Sequence, residues 1–551
     1  VAKKVFEFMP NNNRKYPDLH DHIAALKKAG LLLTIDRAID KDAEMHPLVR
    51  WQYVGGIEHE ERKAFLFTNV VDGRGRKFKF PVVVGALAAN PAVYLTGMQC
   101  AAEDVQKRWD EAIAHPVPPR VVETAACQEV IIEGEALQGE GSGLDSIPIP
   151  ISTPGFDSAP TLTATNVITK DPDSGIQNHG TYRAALKASD RLVVRMATRS
   201  GGAGGYRHYQ KHQQRGDKVM PVAIVLGAPP CVAYVAPMKL PIDVDEIGVA
   251  GGLVGAPINV VRARTVDLLV PAEAEIVIEG FIDTETLEPE GPFGESHGHI
   301  ALEEFNMPMR VTAITHRRDA IVASYISQVT PSESSAIKLV SYEPMFLNHL
   351  RKTLGIRGVK RVKLHERLTA LRRIIIVVME KNVPRTEIWR ALQGASAFRA
   401  DCGKICIAVD EDIDPENSDA IFWALAFRMN PSSDLQVIDY RSPGHGPERE
   451  HEAERMDATL LMDATRKEEL PPLALPRREY MERAGKIWDE LGLPKRRPQA
   501  PWFSPGDGDW LPQWDEAAKR AVEGGYLDNG KISEKLKRKG LKPETRFRPG
   551  E

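Results

Sequence analysis

The chain has 551 residues, with 72 Lys and Arg against 76 Asp and Glu, a net charge of −4. That length exceeds one ordinary core and implies two or three domains, while the near-balanced charge offers no basic field for nucleic acid and points to a small-molecule partner. No stretch approaches the roughly 20 apolar residues that span a bilayer, and Val1-Ala2-Lys3-Lys4-Val5-Phe6 lacks an apolar run of signal-peptide length, so a cytoplasmic protein without membrane contact is expected.

Asp18 to Ala29 has helical spacing at Leu19, Ile23 and Leu26, and strand-like runs follow at Leu31 to Ile35 and Pro81 to Gly85. These predict an N-terminal α/β domain over residues 1–125. From Val130 to about Ser327 the pattern changes to short β runs broken by glycine and proline, at Met220 to Gly227, Leu268 to Pro271, Glu275 to Ile282 and Ile321 to Ile326. That spacing predicts a β-barrel domain over 126–328. Strands then alternate with helices: Ile374 to Met379, the helix Pro384 to Gly394, Ile405 to Val409, the helix Ser418 to Met429, and Leu435 to Ile438. This is the rhythm of a second α/β domain, over 329–490. A tail, 491–551, carries Trp502, Trp510 and Trp514 and the basic run Lys535-Leu536-Lys537-Arg538-Lys539, read as a solvated face. The five cysteines (Cys100, Cys127, Cys231, Cys402, Cys406) are odd in number and scattered, which argues against a disulfide framework. Cys402 and Cys406 have no second pair nearby and read as buried thiols. Gly201 to Gly205 lacks both nucleotide-loop endings and reads as a flexible loop.

Two carboxylates flank a tight turn in Glu290-Gly291-Pro292-Phe293-Gly294-Glu295. Glycine permits positive φ and proline fixes φ, so the turn holds both carboxyl groups in one place. Carboxylates that close cannot both ionise cheaply, which suits acid/base work; the bland alternative is a surface turn with two solvated glutamates. Upstream stand Asn178-His179-Gly180-Thr181-Tyr182-Arg183, then Pro237-Met238-Lys239-Leu240-Pro241 followed by Glu246. Together these three blocks resemble the UbiD family of reversible decarboxylases, in family order and near family spacing, from about Asp18 to about Arg477.

The resemblance implies an α/β (α+β) protein whose central domain is a split β-barrel that binds prenylated FMN, with a C-terminal domain that mediates oligomerisation. It implies non-oxidative, reversible decarboxylation of an aromatic or α,β-unsaturated acid, an aryl-CoA thioester of phthaloyl type included, in a homodimer or higher homo-oligomer whose cofactor comes from a flavin prenyltransferase. Loss of CO2 from an sp2 carbon leaves a carbanion with no internal sink, so a cofactor must take the electrons. The family's Glu-Arg-Glu network maps onto Glu290, Arg183 and Glu295, with Glu295 as proton donor, Arg183 orienting the departing carboxylate and Glu290 holding Arg183. Asn178, Thr181, Tyr182, Arg183, Met238 and Glu246 are implied at the cofactor, and Gln328 to Ser332 in the pocket wall.

By the same resemblance a divalent metal, usually Mn2+, bridges the flavin phosphate to Asn178 and Glu246, and K+ lies near Val235, Ala236, Met238 and Glu246, with Arg428 completing that site. The chain departs from the pattern at the family's metal histidine, where it reads Arg199-Ser200-Gly201. His208 aligns with a segment beyond that histidine and is not read as a ligand; His179, His297 and His299 stand close to motif residues without an assigned role. Arg199 is expected to contact the phosphate in place of the metal. Two alternatives stay open: carboxylation as the physiological direction, and a non-catalytic subunit of a larger carboxylase.

Overall fold

A computed structural model describes residues 14–196, 203–238, 240, 244–400, 402–441, 457–468, 471–498, 501–504, 509–540 and 542. Asp18 starts the first helix, Leu19–Lys28: its carboxylate accepts the Asp21 N–H while Asp21 answers the Asp18 N–H, a reciprocal cap. The helix buries Leu19, Ile23 and Leu26, the spacing that predicted it, against Val83 and Ala64. Those residues lie in a four-stranded sheet ordered Leu32–Ile35, Ala64–Phe67, Val82–Val84, Val322–Ser324. The last strand is a departure from expectation. Ile321 to Ile326 reads as part of the barrel, yet Val322–Ser324 pairs in parallel with Val82–Val84. A short apolar run buried on both faces carries no periodicity to say which sheet it joins.

The central sheet positions the site. Its path runs β2 (Gln177–Gly180), β1 (Thr165–Lys170), β5 (Val219–Leu226), β6 (Ile276–Asp283), β7 (Phe305–His316), β4 (Arg191–Val194), β3 (Ala184–Ala188) and Thr161–Leu162, with Val130–Glu133 and Glu288–Pro289 also laid against β7. Every pairing is antiparallel. The two end strands do not pair with each other among the described residues, so the barrel stays split. Along β5, Met220, Val222, Ile224 and Leu226 enter one core while Ala223 and Val225 enter another. Burial on both faces explains why this strand reads as an unbroken apolar run, and each fully buried aliphatic side chain contributes about 1.5–3 kcal/mol. Leu269–Pro271 belongs elsewhere, in a small sheet with Asn259–Arg262 and Arg120–Val121. Helices α1 (Gly204–Arg215) and α2 (Glu246–Val254) both pack against β2.

Beyond the central sheet, helix α3 (Glu333–Asn348) leads to a five-stranded sheet ordered Val359–Leu364, Ile374–Met379, Ile405–Asp410, Asp457–Asp463, Leu435–Arg441. By internal contacts the chain forms one unit of Val1–Ala408 with Leu435–Asp463 and a second of Val409–Asp434 with Ala464–Glu551. The second unit holds the helices Ser418–Arg428, Arg478–Glu490, Pro512–Val522 and Tyr526–Lys535. All five cysteines are buried and free, and burial pushes the Cys406 thiol up to about 12. Among the described residues no helix is long and apolar enough to cross a membrane.

Candidate active site

The Glu290–Glu295 turn follows the strand Glu288–Pro289 and contains Phe293–Gly294, which pairs antiparallel with Ile300–Ala301. Gly291 has φ +98°, and a Cβ there would come within 2.0 Å of the Ser158 hydroxyl, so this position requires glycine. The backbone is pinned from outside: Glu290 N–H donates to Glu304 O at 2.9 Å, and Gly294 N–H to Asp157 Oδ1 at 3.0 Å.

Arg183, just before β3, stands between the two carboxylates. Its Nε and Nη2 donate to Glu290 Oε1 and Oε2 at 2.5 and 2.8 Å, and its Nη1 donates to Glu295 Oε1. The side chains of Arg183, Glu290 and Glu295 are 9%, 2% and 11% exposed, so the bland reading of two solvated glutamates fails. The guanidinium between the glutamates offsets the like-charge repulsion that the sequence posed. Burial alone would depress the Arg183 guanidinium, but the Glu295 and Glu290 charges outweigh it and hold it above its usual value. The Phe293 ring lies 4.6 Å beneath the guanidinium carbon.

Two contributors went unread in the sequence. Asn306, on β7, donates to Glu290 Oε2 at 3.0 Å. Arg195, just after β4, places Nη1 3.4 Å from Glu295 Oε1 and Nε 3.6 Å from Glu304 Oε2. An asparagine in a long apolar strand and one arginine among many carry no local signal; both are found only through strand register.

A second cluster lies at the junction of β2 and α2. Asn178 Nδ2 donates to Glu246 Oε1 at 2.6 Å and His179 N–H to Oε2 at 3.1 Å. Tyr182 Oη donates to Asn178 Oδ1 at 3.0 Å and accepts the Gly205 N–H. A Cβ on Gly204 would fall 2.6 Å from the Asn178 carboxamide, so glycine lets α1 start against it. Burial pushes Glu246 up to about 7, against the His179 N–H and Asn178 amide that favour the anion. Among the described residues it has no cationic partner, so this carboxylate fits a bound cation. Thr181 N–H donates to Ala236 O at 3.3 Å, and buried Met238 is held through its N–H on Val235 O at 2.9 Å, which brings the second and third motif blocks together.

The remaining residues sort as follows. His179 is buried with neither ring nitrogen partnered among the described residues, and burial lowers it to about 3. His208 Nδ1 is 2.9 Å from Thr169 Oγ1 and its Nε2 faces Asp171, not Glu246. His297 and His299 have ring centres 5.9 Å apart in the turn after Glu295, where Glu295 N–H donates to His299 O. Gln328 Nε2 donates to Ser152 O and Thr153 Oγ1. Arg428 belongs to the second unit, where it binds Asp410 and Asp412. Arg199 lies outside the described residues. Among the described residues no three His, Cys, Asp or Glu side chains gather as a metal-ligand set.

Comparison with known proteins places this chain in a family. Residues 120–329 match the 3-octaprenyl-4-hydroxybenzoate carboxy-lyase Rift-related domain, and residues 339–453 match the C-terminal domain of the same carboxy-lyase. Among solved structures, the UbiD-class enzyme HmfF of Pelotomaculum thermopropionicum, in complex with FMN, is 26% identical with a TM-score of 0.71 over 88% of this chain and 98% of that one. An evolved dimeric form of HmfF in complex with prFMN is 27% identical with a TM-score of 0.69, over 82% and 95% of the two chains. The vanillic acid decarboxylase of Sedimentibacter hydroxybenzoicus, at 22% identity and a TM-score of 0.69 over 87% and 99%, shares the fold. With both domain models matched in order over more than half of the chain, the protein belongs to the UbiD family of carboxy-lyases.

Proposed function

We propose that the protein is a prenylated-FMN-dependent, non-oxidative and reversible decarboxylase of an aromatic or α,β-unsaturated carboxylic acid. The observation that carries this reading is the buried Glu290–Arg183–Glu295 arrangement, in which one glutamate is tied to the arginine through two hydrogen bonds and the other through one. Turning Glu295 toward a substrate breaks one hydrogen bond to Arg183, where turning Glu290 would break two. HmfF, solved with prFMN and with FMN, supports a flavin, and its dimeric form supports a homo-oligomer.

When bound, the flavin would supply the electron sink that side chains lack. Asn178, Thr181, Tyr182 and Met238 would hold its phosphate end, with the cation that Glu246 fits beside it. Potassium, which binds through carbonyl and carboxylate oxygens, suits that set; a divalent ion would need a further ligand from outside the described residues. Arg183 orients the carboxylate, and Glu290, bound at both oxygens and backed by Asn306, keeps Arg183 aimed. Glu295 takes a proton from solvent as it leaves the arginines; as the carbon–carboxylate bond breaks and CO2 leaves, that O–H breaks and a C–H bond forms on the retained carbon, and the Glu295 carboxylate returns to the arginines. The same steps run backward carboxylate the product, so the site serves either direction. A scaffold subunit would need none of these buried charges.

The test is co-expression with a flavin prenyltransferase, followed by CO2 release from cinnamate, benzoate, phthalate and phthaloyl-CoA. Flavin absorbance in the purified protein and CO2 from at least one acid are expected. Flavin-loaded protein that releases CO2 from none of the four overturns the reading.

A further inference from the structure

Arg183 and Arg195 stand side by side because the β3–β4 hairpin forces them to. Ala184 pairs with Val194, and the ladder extends one position further through the Arg195 N–H, which donates to Arg183 O at 3.0 Å. Like charges opposite one another destabilise a strand pair unless an anion lies between them. Glu295 Oε1 is that anion, faced by Nη1 of both arginines.

The two guanidiniums are not equally committed. Arg183 spends Nε and Nη2 on Glu290 and Nη1 on Glu295. Arg195 reaches Glu295 only at 3.4 Å, and its Nε, 3.6 Å from Glu304, is buried without a hydrogen-bond acceptor among the described residues. Its side chain is 21% exposed, so solvent-borne groups can reach it. A fork of planar N–H donors with one buried donor unmatched suits a carboxylate that can take two hydrogen bonds at once.

We propose that Arg195 receives the reacting carboxylate of the acid, exchanging its long ion pair with Glu295 for a forked pair with the substrate, and so frees Glu295 to turn toward the carbon it protonates. The inference rests on the decarboxylase reading and deepens it by dividing recognition of the carboxylate between two arginines: Arg195 receives it, and Arg183, held by Glu290, orients it. The exchange itself makes and breaks no covalent bond. One carboxylate replaces another on the guanidinium, and departure of neutral CO2 returns Arg195 to Glu295. The acid therefore feels Arg195, and the same molecule after loss of its reacting carboxylate does not.

The experiment uses flavin-loaded Arg195→Gln and Arg195→Lys with whichever of cinnamate, benzoate, phthalate and phthaloyl-CoA the native enzyme decarboxylates. Each is paired with its decarboxylated counterpart (styrene, benzene, benzoate or benzoyl-CoA) as competitive inhibitor. Arg195→Gln is expected to raise KM for the acid roughly tenfold to a hundredfold while moving the counterpart's inhibition constant less than about threefold. Arg195→Lys, which keeps the charge but not the fork, should raise KM less than Arg195→Gln does. An unchanged KM, or equal weakening of acid and counterpart as a structural role would give, overturns the inference while leaving the decarboxylase reading in place. If the native enzyme decarboxylates none of the four acids, that reading fails by itself and the inference falls with it.

Discussion

Replacing Arg183 by Met removes a cation that both glutamates of the site contact while filling much of its volume, so the loss is electrostatic rather than a cavity. Among the described residues the Glu290 carboxylate would keep the Asn306 amide, and Glu295 would keep the Ser296 N–H and the more distant Arg195 among its contacts. Stranding a buried charge by removing its partner costs about 3–5 kcal/mol, against about 0–1 kcal/mol for a surface pair. With Glu290 only 2% exposed, the buried case applies. Urea unfolding of the flavin-free protein at pH 8 should therefore lose about 3–5 kcal/mol in Arg183→Met. Adding Glu290→Gln removes one stranded charge and should return roughly 1.5–3 kcal/mol, a coupling of the size that contacting pairs show. A loss below about 1 kcal/mol, or a double variant weaker than the two single losses summed, would refute the reasoning.

Glu333 gives a pH signature. Burial pushes its carboxyl from 4.5 up to about 7, although the Gly85, Leu87 and Ala88 N–H groups favour the anion. Between those values the folded protein keeps a proton that the unfolded chain has lost, so this group's stabilisation is present at low pH and fades by roughly 3 kcal/mol as pH rises through about 7. Urea midpoints from pH 4.5 to 7.5 should fall less steeply in Glu333→Gln; parallel curves would contradict this. Gly204→Ala should push the Asn178 carboxamide off Glu246 and weaken flavin retention about tenfold, near 1.4 kcal/mol, by fluorescence titration; unchanged affinity would remove Asn178 from the cofactor. Light scattering should give at least a dimer, since Val437 and Tyr440 are exposed on the edge strand Leu435–Arg441. A monomer mass would count against it.

The parts of this site that were legible in the sequence are those whose chemistry is local. The Glu290–Glu295 turn is a hexapeptide, and Asn178 to Arg183 spans one strand end, so residue type and short spacing identify them. Glu246 was legible by its interval from Met238, and Leu19, Ile23 and Leu26 by helical period. Arg195, Asn306 and Glu333 were not, because their roles come from partners 100, 16 and about 245–248 positions away, through register and packing. Val322–Ser324 was misplaced for the same reason, since a strand buried on both faces does not say which neighbour it pairs with.

The central claim is that Glu295 delivers the proton, and Glu295→Gln tests it most directly, since the amide keeps the shape but has no carboxyl proton to give. Decarboxylation and flavin absorbance are measured on the same flavin-loaded sample. Retained flavin with turnover reduced roughly 10²- to 10⁴-fold is the predicted result; near-normal turnover would contradict it.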